Sequence, residues 1–244
     1  MSGHSKWHNI QKTKGAQDAK RASAFTKISK EMIVAVKEGG SADPANNSRL
    51  AAVITKAKAA NMPNDNIKRV LERASGAGSG ENYESITYEG YGPSGVAVIV
   101  ETMTDSRNRT AANMRHFFDK YGGNLGASGC VAWSFDKKGV LIIDNEEEEL
   151  EEDKVMEDAL DAGAEDFSNE GECFEITTTP DDFNTVAETL SVKGYTFVSA
   201  QVEMVPQNYQ KLEKEEDIKN MEKLLDMLDD DDDVQNVWHN WDND

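Results

Sequence analysis

Apolar residues recur at helical spacing over the first third of the chain. Between Ala16 and Lys37, Phe25, Ile28, Met32 and Val36 stand three or four positions apart, which predicts a helix with one apolar stripe. At about 100° per residue, Lys20, Lys27 and Lys30 fall on the opposite face, and Gly39-Gly40 supplies a stop. Leu50, Val53, Ile54 and Ala57 repeat the spacing in a second helix, whose polar side carries Arg49 and Lys56. Asn61-Met62 breaks that helix, and Pro63 suits the first turn of a third. The third buries Ile67, Val70, Leu71 and Ala74 and exposes Lys68, Arg69 and Arg73. Three such helices with short joints predict a small bundle. Gly76-Ala77-Gly78-Ser79-Gly80 follows as a linker; no strand precedes it to make it a phosphate cradle.

The pattern then changes to that of mixed strands and helices. Residues 85–91 and 95–102 read as strands about the turn Gly92-Pro93-Ser94. A helix from Arg107 to Tyr121 turns Met114, Phe117, Phe118 and Tyr121 inward, Gly122–Gly126 ends it, and Val131–Phe135 reads as a third strand. Val140–Ile143, Glu151–Ala162, Glu165–Ser168, Cys173–Thr177, Asp181–Lys193 and Phe197–Val205 give the order βαββαβ, the ferredoxin-like arrangement. Gln210–Leu228 reads as a helix and Val234–Trp241 as a last strand. The expected fold is therefore α+β and multidomain. A basic helical bundle with an N-terminal arm covers 1–75, an α+β domain covers 82–136 plus 206–244, and a ferredoxin-like α+β domain at 137–205 is inserted in it.

Charge follows the same division. The whole chain of 244 residues carries a formal net charge of −20, which alone argues against a nucleic-acid partner. Residues 1–75, however, hold 14 Lys and Arg against 6 Asp and Glu, while the remaining 169 residues hold 12 against 40. A basic head on an acidic body points to phosphate binding by the head. The arm places Trp7 among Lys6, His8, Lys12 and Lys14, a composition suited to following a phosphate backbone and stacking on a base. Packing of Trp7 on its own bundle, with the lysines as a solvated face, accounts for the same residues. The second and third helices could form a helix-turn-helix presenting Lys68, Arg69 and Arg73 to a major groove, although any three-helix bundle contains such a joint. Arg107, Arg109 and Arg115 cluster at the start of the fourth helix as a second candidate contact, where Thr104, Asp105 or Ser106 could equally act only as a cap.

Other chemistry is sparse. His4 and His8 are four apart, but four histidines in all and only two cysteines, Cys130 and Cys173, do not make a zinc site. Neither a nucleophile elbow nor a Walker loop is present, so no enzyme activity, metal, cofactor or small-molecule substrate is expected. The acidic runs, Glu146–Glu149 with Glu151-Glu152-Asp153 and Asp229–Asp233, read as solvated ends, as cation ligands (although Asp229–Asp233 lacks the glycine of an EF-hand), or as a surface that docks on the basic head. In the last case neutralising Asp229–Asp233 strengthens nucleic-acid binding at low salt. Val96–Val100 is far short of a membrane span, the N-terminus lacks a secretory core, and the cysteine usage fits a reducing, cytoplasmic location without membrane partners. No heptad or apolar dimer seam is visible, which leaves the oligomeric state undetermined and compatible with a monomer.

Gly3-His4-Ser5-Lys6-Trp7, with Ile10, Lys14, Asp18, Arg21, Phe25 and Lys27, resembles the opening of the YebC/PmpR family. Asn61-Met62-Pro63-Asn64-Asp65-Asn66-Ile67, Tyr88-Glu89-Gly90-Tyr91-Gly92-Pro93, Asn108-Arg109-Thr110 and Gly122-Gly123-Asn124-Leu125-Gly126 continue the resemblance in order. Ser48, Ala51, Ser106 and Cys130 depart from the family's usual residues, and the loss of a charge at Ala51 weakens that face as a phosphate contact. The resemblance implies a three-domain protein that controls gene expression through nucleic acid. It leaves two readings: a DNA-binding transcriptional regulator, or a ribosome-associated translation factor that contacts rRNA or tRNA and relieves stalling at proline runs.

Overall fold

The computed structural model describes residues 17–76, 82–145 and 150–243. They form two compact units, 17–132 with Leu212–His239, and Trp133–Lys211 with 240–243.

The first unit begins with three helices, α1 (Gln17–Gly39), α2 (Ser48–Ala59) and α3 (Asn64–Ser75). Their shared core holds Ile28, Met32, Ile33, Leu50, Val53, Ile67 and Val70, with Phe25 and Tyr83 half-buried against it. The α1–α2 joint is set by Asn47. Its carbonyl oxygen caps α2 by accepting from the Leu50 N–H at 3.0 Å, and its amide donates to Ala35 O and Ser41 O, both at 2.8 Å. A Cβ on residue 39 would lie 2.3 Å from the Asn47 amide nitrogen, so Gly39 makes room for the cap as well as ending α1. Pro63 sits at the N-cap of α3 rather than within its first turn.

A four-stranded antiparallel sheet completes this unit, from β1 (Glu84–Tyr91), β2 (Ala97–Thr104), β3 (Asn124–Leu125) and β9 (Val234–His239), in the order β3-β1-β2-β9. β2 is buried at every position but Glu101, as its unbroken apolar run requires of an inner strand. Helix α4 (Arg107–Lys120) lies on β1 and α7 (Glu215–Asp229) on β9, burying Met114, Phe118, Met221, Leu224 and Leu228.

The third strand is not at Val131–Phe135. Asn124–Leu125 pairs with Tyr91 and Gly90 instead, and residues 132–134 form a 3-10 turn. Two glycines permit the pairing, since a Cβ at residue 123 would lie 2.4 Å from Tyr91 O and one at residue 90 would lie 2.6 Å from Asn124 O. The buried Glu89 carboxylate then gathers the next loop, accepting from the N–H groups of Gly129 (2.6 Å), Val131 (2.9 Å) and Ala132 (2.8 Å). Those bonds outweigh burial and hold its carboxyl below the usual range.

The second unit contains β4 (Phe135–Asp144), α5 (Glu152–Ala162), β5 (Asp166–Asn169), β6 (Cys173–Thr178), α6 (Phe183–Val192) and β7 (Ser199–Pro206). The antiparallel order β5-β6-β4-β7 is ferredoxin-like. Leu141, Ile143, Phe174 and Ile176 meet Val155, Ala159, Val186 and Leu190 of the two helices, while Val140, Ile142 and Cys173 lie on the other face.

The helix expected over Gln210–Leu228 starts only at Glu215. Gln210–Lys211 is extended (β8) and pairs in parallel with Trp241–Asp242 (β10), and Glu215, Glu216 and Asp217 place negative charge at the true helix start.

Candidate nucleic-acid interface

Within the first unit, α1 meets the five-aspartate turn that joins α7 to β9. Lys27 Nζ donates to Asp229 O at 2.7 Å and lies 3.6 Å from its carboxylate. Lys30 Nζ donates to Asp233 Oδ1 at 2.6 Å and to Asp232 O at 2.7 Å. The opposite carboxylate oxygen of Asp233 accepts from Arg109 Nη2 (2.7 Å), Thr110 Oγ1 (2.9 Å) and Thr104 Oγ1 (3.1 Å). Its own carbonyl accepts from the Met103 N–H at 2.7 Å. Asp233 is thus a buried tie between the helical bundle, β2, α4 and β9. Burial alone would raise its pKa, but Arg109, Lys30 and Thr110 overcome that and hold it at about 2. Asp231 shapes the turn, accepting from the Asp233 N–H at 2.9 Å and the Asn113 amide at 3.2 Å.

The aspartate run therefore docks on the basic helix, through Asp229, Asp232 and Asp233. Lys30 does not lie on an exposed polar face; it is 8% exposed. The reason is that α1 is apolar over the contiguous stretch Met32–Val36, all of it buried, so the helix is covered on more than one side. Lys27 is also largely covered, its side chain 14% exposed.

The remaining candidate residues fall into three groups. His4, Lys6, Trp7, Lys12 and Lys14 lie outside the described residues, as do the side chains of Lys20 and Arg21 and the run Glu146–Glu149. Arg49 pairs with Glu38, Lys56 with Glu31 at 2.7 Å, and Arg107 with Glu84, each cation retaining substantial exposure. Arg109 bridges Asp105 and Asp233. Arg69 and Arg73 are exposed on α3, and Arg115 on α4.

Sequence periodicity did not show that Arg69 and Arg73 border a groove of about 400 Å3. Its wall on α1 is Phe25, Thr26, Ser29 and Lys30, and its wall on α3 is Asn66, Arg69, Val70 and Arg73, with Met62 and Tyr83 completing it. Lys30 Nζ stands 5.5 Å from the Tyr83 ring centroid, a cation–π contact. A second groove of about 460 Å3 shares Thr26, Lys30 and Tyr83 and is lined by Asp230–Asp233. Among the described residues no three His, Cys, Asp or Glu side chains are grouped to hold a metal ion, and no helix is long and apolar enough to cross a membrane.

Comparison with known proteins gives a consistent result along the chain. The family model described as the TACO1/YebC protein N-terminal domain matches residues 5–77, and that described as the TACO1/YebC second and third domain matches 83–241. A protein of Ruminiclostridium cellulolyticum named "Probable transcriptional regulatory protein" is 57% identical over 244 residues, covering 100% of this chain and 98% of its own length. One of Finegoldia magna with the same name is 54% identical and covered in full. The crystal structure of a conserved hypothetical protein from Aquifex aeolicus superposes with a TM-score of 0.83 at 41% identity, over 92% of this chain and 91% of that one.

Proposed function

Because the chain belongs to the TACO1/YebC family, we propose that it is a non-enzymatic, nucleic-acid-binding regulator of gene expression, acting in the cytoplasm as a DNA-binding transcriptional regulator. The observation that carries this is the residual charge of the helical bundle. Asp229–Asp233 covers Lys27 and Lys30, whereas Arg49 and Lys56, each paired with one glutamate, and Arg69 and Arg73 remain exposed on α2 and α3. With the lysines of residues 1–21 they supply the positive surface that phosphates require, while the acidic body limits indiscriminate adhesion. The names of the relatives support the transcriptional reading.

The aromatic groove between α1 and α3 favours a second reading, a translation factor that contacts rRNA or tRNA, because unpaired bases stack on aromatic side chains whereas duplex bases are withheld. Crosslinking the protein to nucleic acid in cells and sequencing what is recovered tests both. Promoter DNA supports the first reading, and rRNA or tRNA the second. Recovery no greater than from an untagged control overturns the proposal.

A further inference from the structure

We propose that the groove between α1 and α3 is a receptor for one unpaired nucleotide, its base held beside Phe25 and Tyr83 and its phosphate by Arg69 and Arg73. This rests on the nucleic-acid reading above and names the form of ligand that the site takes.

The walls are set by helical spacing. Asn66, Arg69, Val70 and Arg73 are three, four and seven positions apart and form one stripe of α3; Phe25, Thr26 and Ser29 form the facing stripe of α1. Met62 and Val70 are buried and make an apolar floor, whereas Arg69 and Arg73 are exposed at the mouth. A volume of about 400 Å3 lies within the usual size of a small-ligand cleft. Flat apolar surface beside two aromatic rings suits the faces of a base, and the Asn66 amide can both donate to and accept from a base edge. The arginines supply planar donors for phosphate. A phosphate alone would need the arginines and not the apolar floor, and a paired base enters only at the cost of unpairing and unstacking, which an unpaired base does not incur.

The neighbouring groove fixes the direction of the strand. It shares Lys30 and Tyr83 and includes Arg109, but its five carboxylates, Asp105 and Asp230–Asp233, outnumber those two cations and disfavour phosphate. A bound strand therefore leaves across Arg69 and Arg73, away from the aspartate turn.

The test uses the full chain with a single-stranded RNA hexamer carrying 4-thiouridine, its DNA counterpart with 4-thiothymidine, and each paired to its complement. Irradiation should label the peptides containing Phe25 or Tyr83 with the single strands and not with the duplexes. Labelling by RNA alone identifies a ligand with a 2′-hydroxyl, and labelling by both a ligand read by base and phosphate only. Arg69→Ala with Arg73→Ala should weaken hexamer binding about tenfold and reduce the salt slope by roughly 0.7, the value for the one single-strand phosphate that the two arginines share. These positions are exposed, so the melting temperature should hold, and labelling should fall with affinity. Labelling confined to other segments, with unchanged hexamer affinity in the arginine variant, overturns the groove while leaving nucleic-acid binding intact. Failure to bind every hexamer and duplex overturns both.

Discussion

Replacing Asp233 by Asn tests the joint between the bundle and the sheet. The native carboxylate is 5% exposed and its pKa is held near 2, against 3.8 for an unperturbed aspartate. At 1.36 kcal/mol per unit, that difference stabilises the fold by about 2.5 kcal/mol near neutral pH. The substitution also leaves Lys30, itself buried, facing carbonyl oxygens, an amide and the Tyr83 ring, with no carboxylate bonded to it. Breaking a buried ion pair typically costs roughly 3–5 kcal/mol, a figure that contains the first rather than adding to it. Urea unfolding at pH 7 should therefore show a loss of about 3 kcal/mol. Because the folded pKa is depressed, the contribution is complete above the unfolded value of 3.8 and is lost as pH falls toward 2. The gap between the native protein and the variant should close over that interval. Adding Lys30→Met removes the stranded charge and should recover part of the loss. A loss below about 1 kcal/mol, unchanged between pH 6 and pH 3, would refute the reasoning.

Three further outcomes are expected from the same structure. Glu89→Gln leaves one of the Gly129, Val131 and Ala132 N–H groups without its carboxylate oxygen; stability should fall by about 1–3 kcal/mol, and amide exchange at those three positions should accelerate by NMR. Gly123→Ala brings a Cβ to 2.4 Å from Tyr91 O and should lower the melting temperature more than Gly122→Ala, which meets only the strain of a φ of +79° in open space; equal shifts would contradict the β3–β1 pairing. Cys173 is fully buried, with its thiol pushed up to about 12 by burial and then by Glu170 and neighbouring carboxylates. Iodoacetamide at pH 8 should leave it unmodified in the folded protein and alkylate it in urea.

The helices and the ferredoxin-like unit were legible because their burial follows local sequence pattern. Phe25, Ile28 and Met32 mark the helical period of α1, and the unbroken apolar run Val140–Ile143, buried on both faces, marks β4 as an inner strand. Elements fixed by side chains distant in sequence were not. β3 depends on close approach at Gly90 and Gly123, and β8 on Trp241–Asp242, so local pattern placed a strand at Val131 and a helix at Gln210 instead. Similarly, the five aspartates after α7 look equivalent as a run. Only the fold distinguishes Asp233, which lies 203 positions from its partner Lys30. The buried stretch Met32–Val36 carried the one local sign that α1 is enclosed and that a lysine beside it has a structural partner. The groove needed tertiary structure too, since Phe25, Arg69 and Tyr83 belong to separate segments.

The proposed function stands on nucleic-acid binding by the cations exposed on the bundle. The direct measurement is the salt dependence of binding for the native protein and for a variant with Arg49, Lys56, Arg69 and Arg73 all changed to Ala, on duplex and on single-stranded targets. At about 0.9 per duplex phosphate and 0.7 per single-strand phosphate, the slope of log affinity against log salt should shrink by roughly 3.6 on duplex and by roughly 2 on single strands, where Arg69 and Arg73 share one phosphate, and affinity should fall more than tenfold. Unchanged affinity and slope in a variant that still folds would contradict the account.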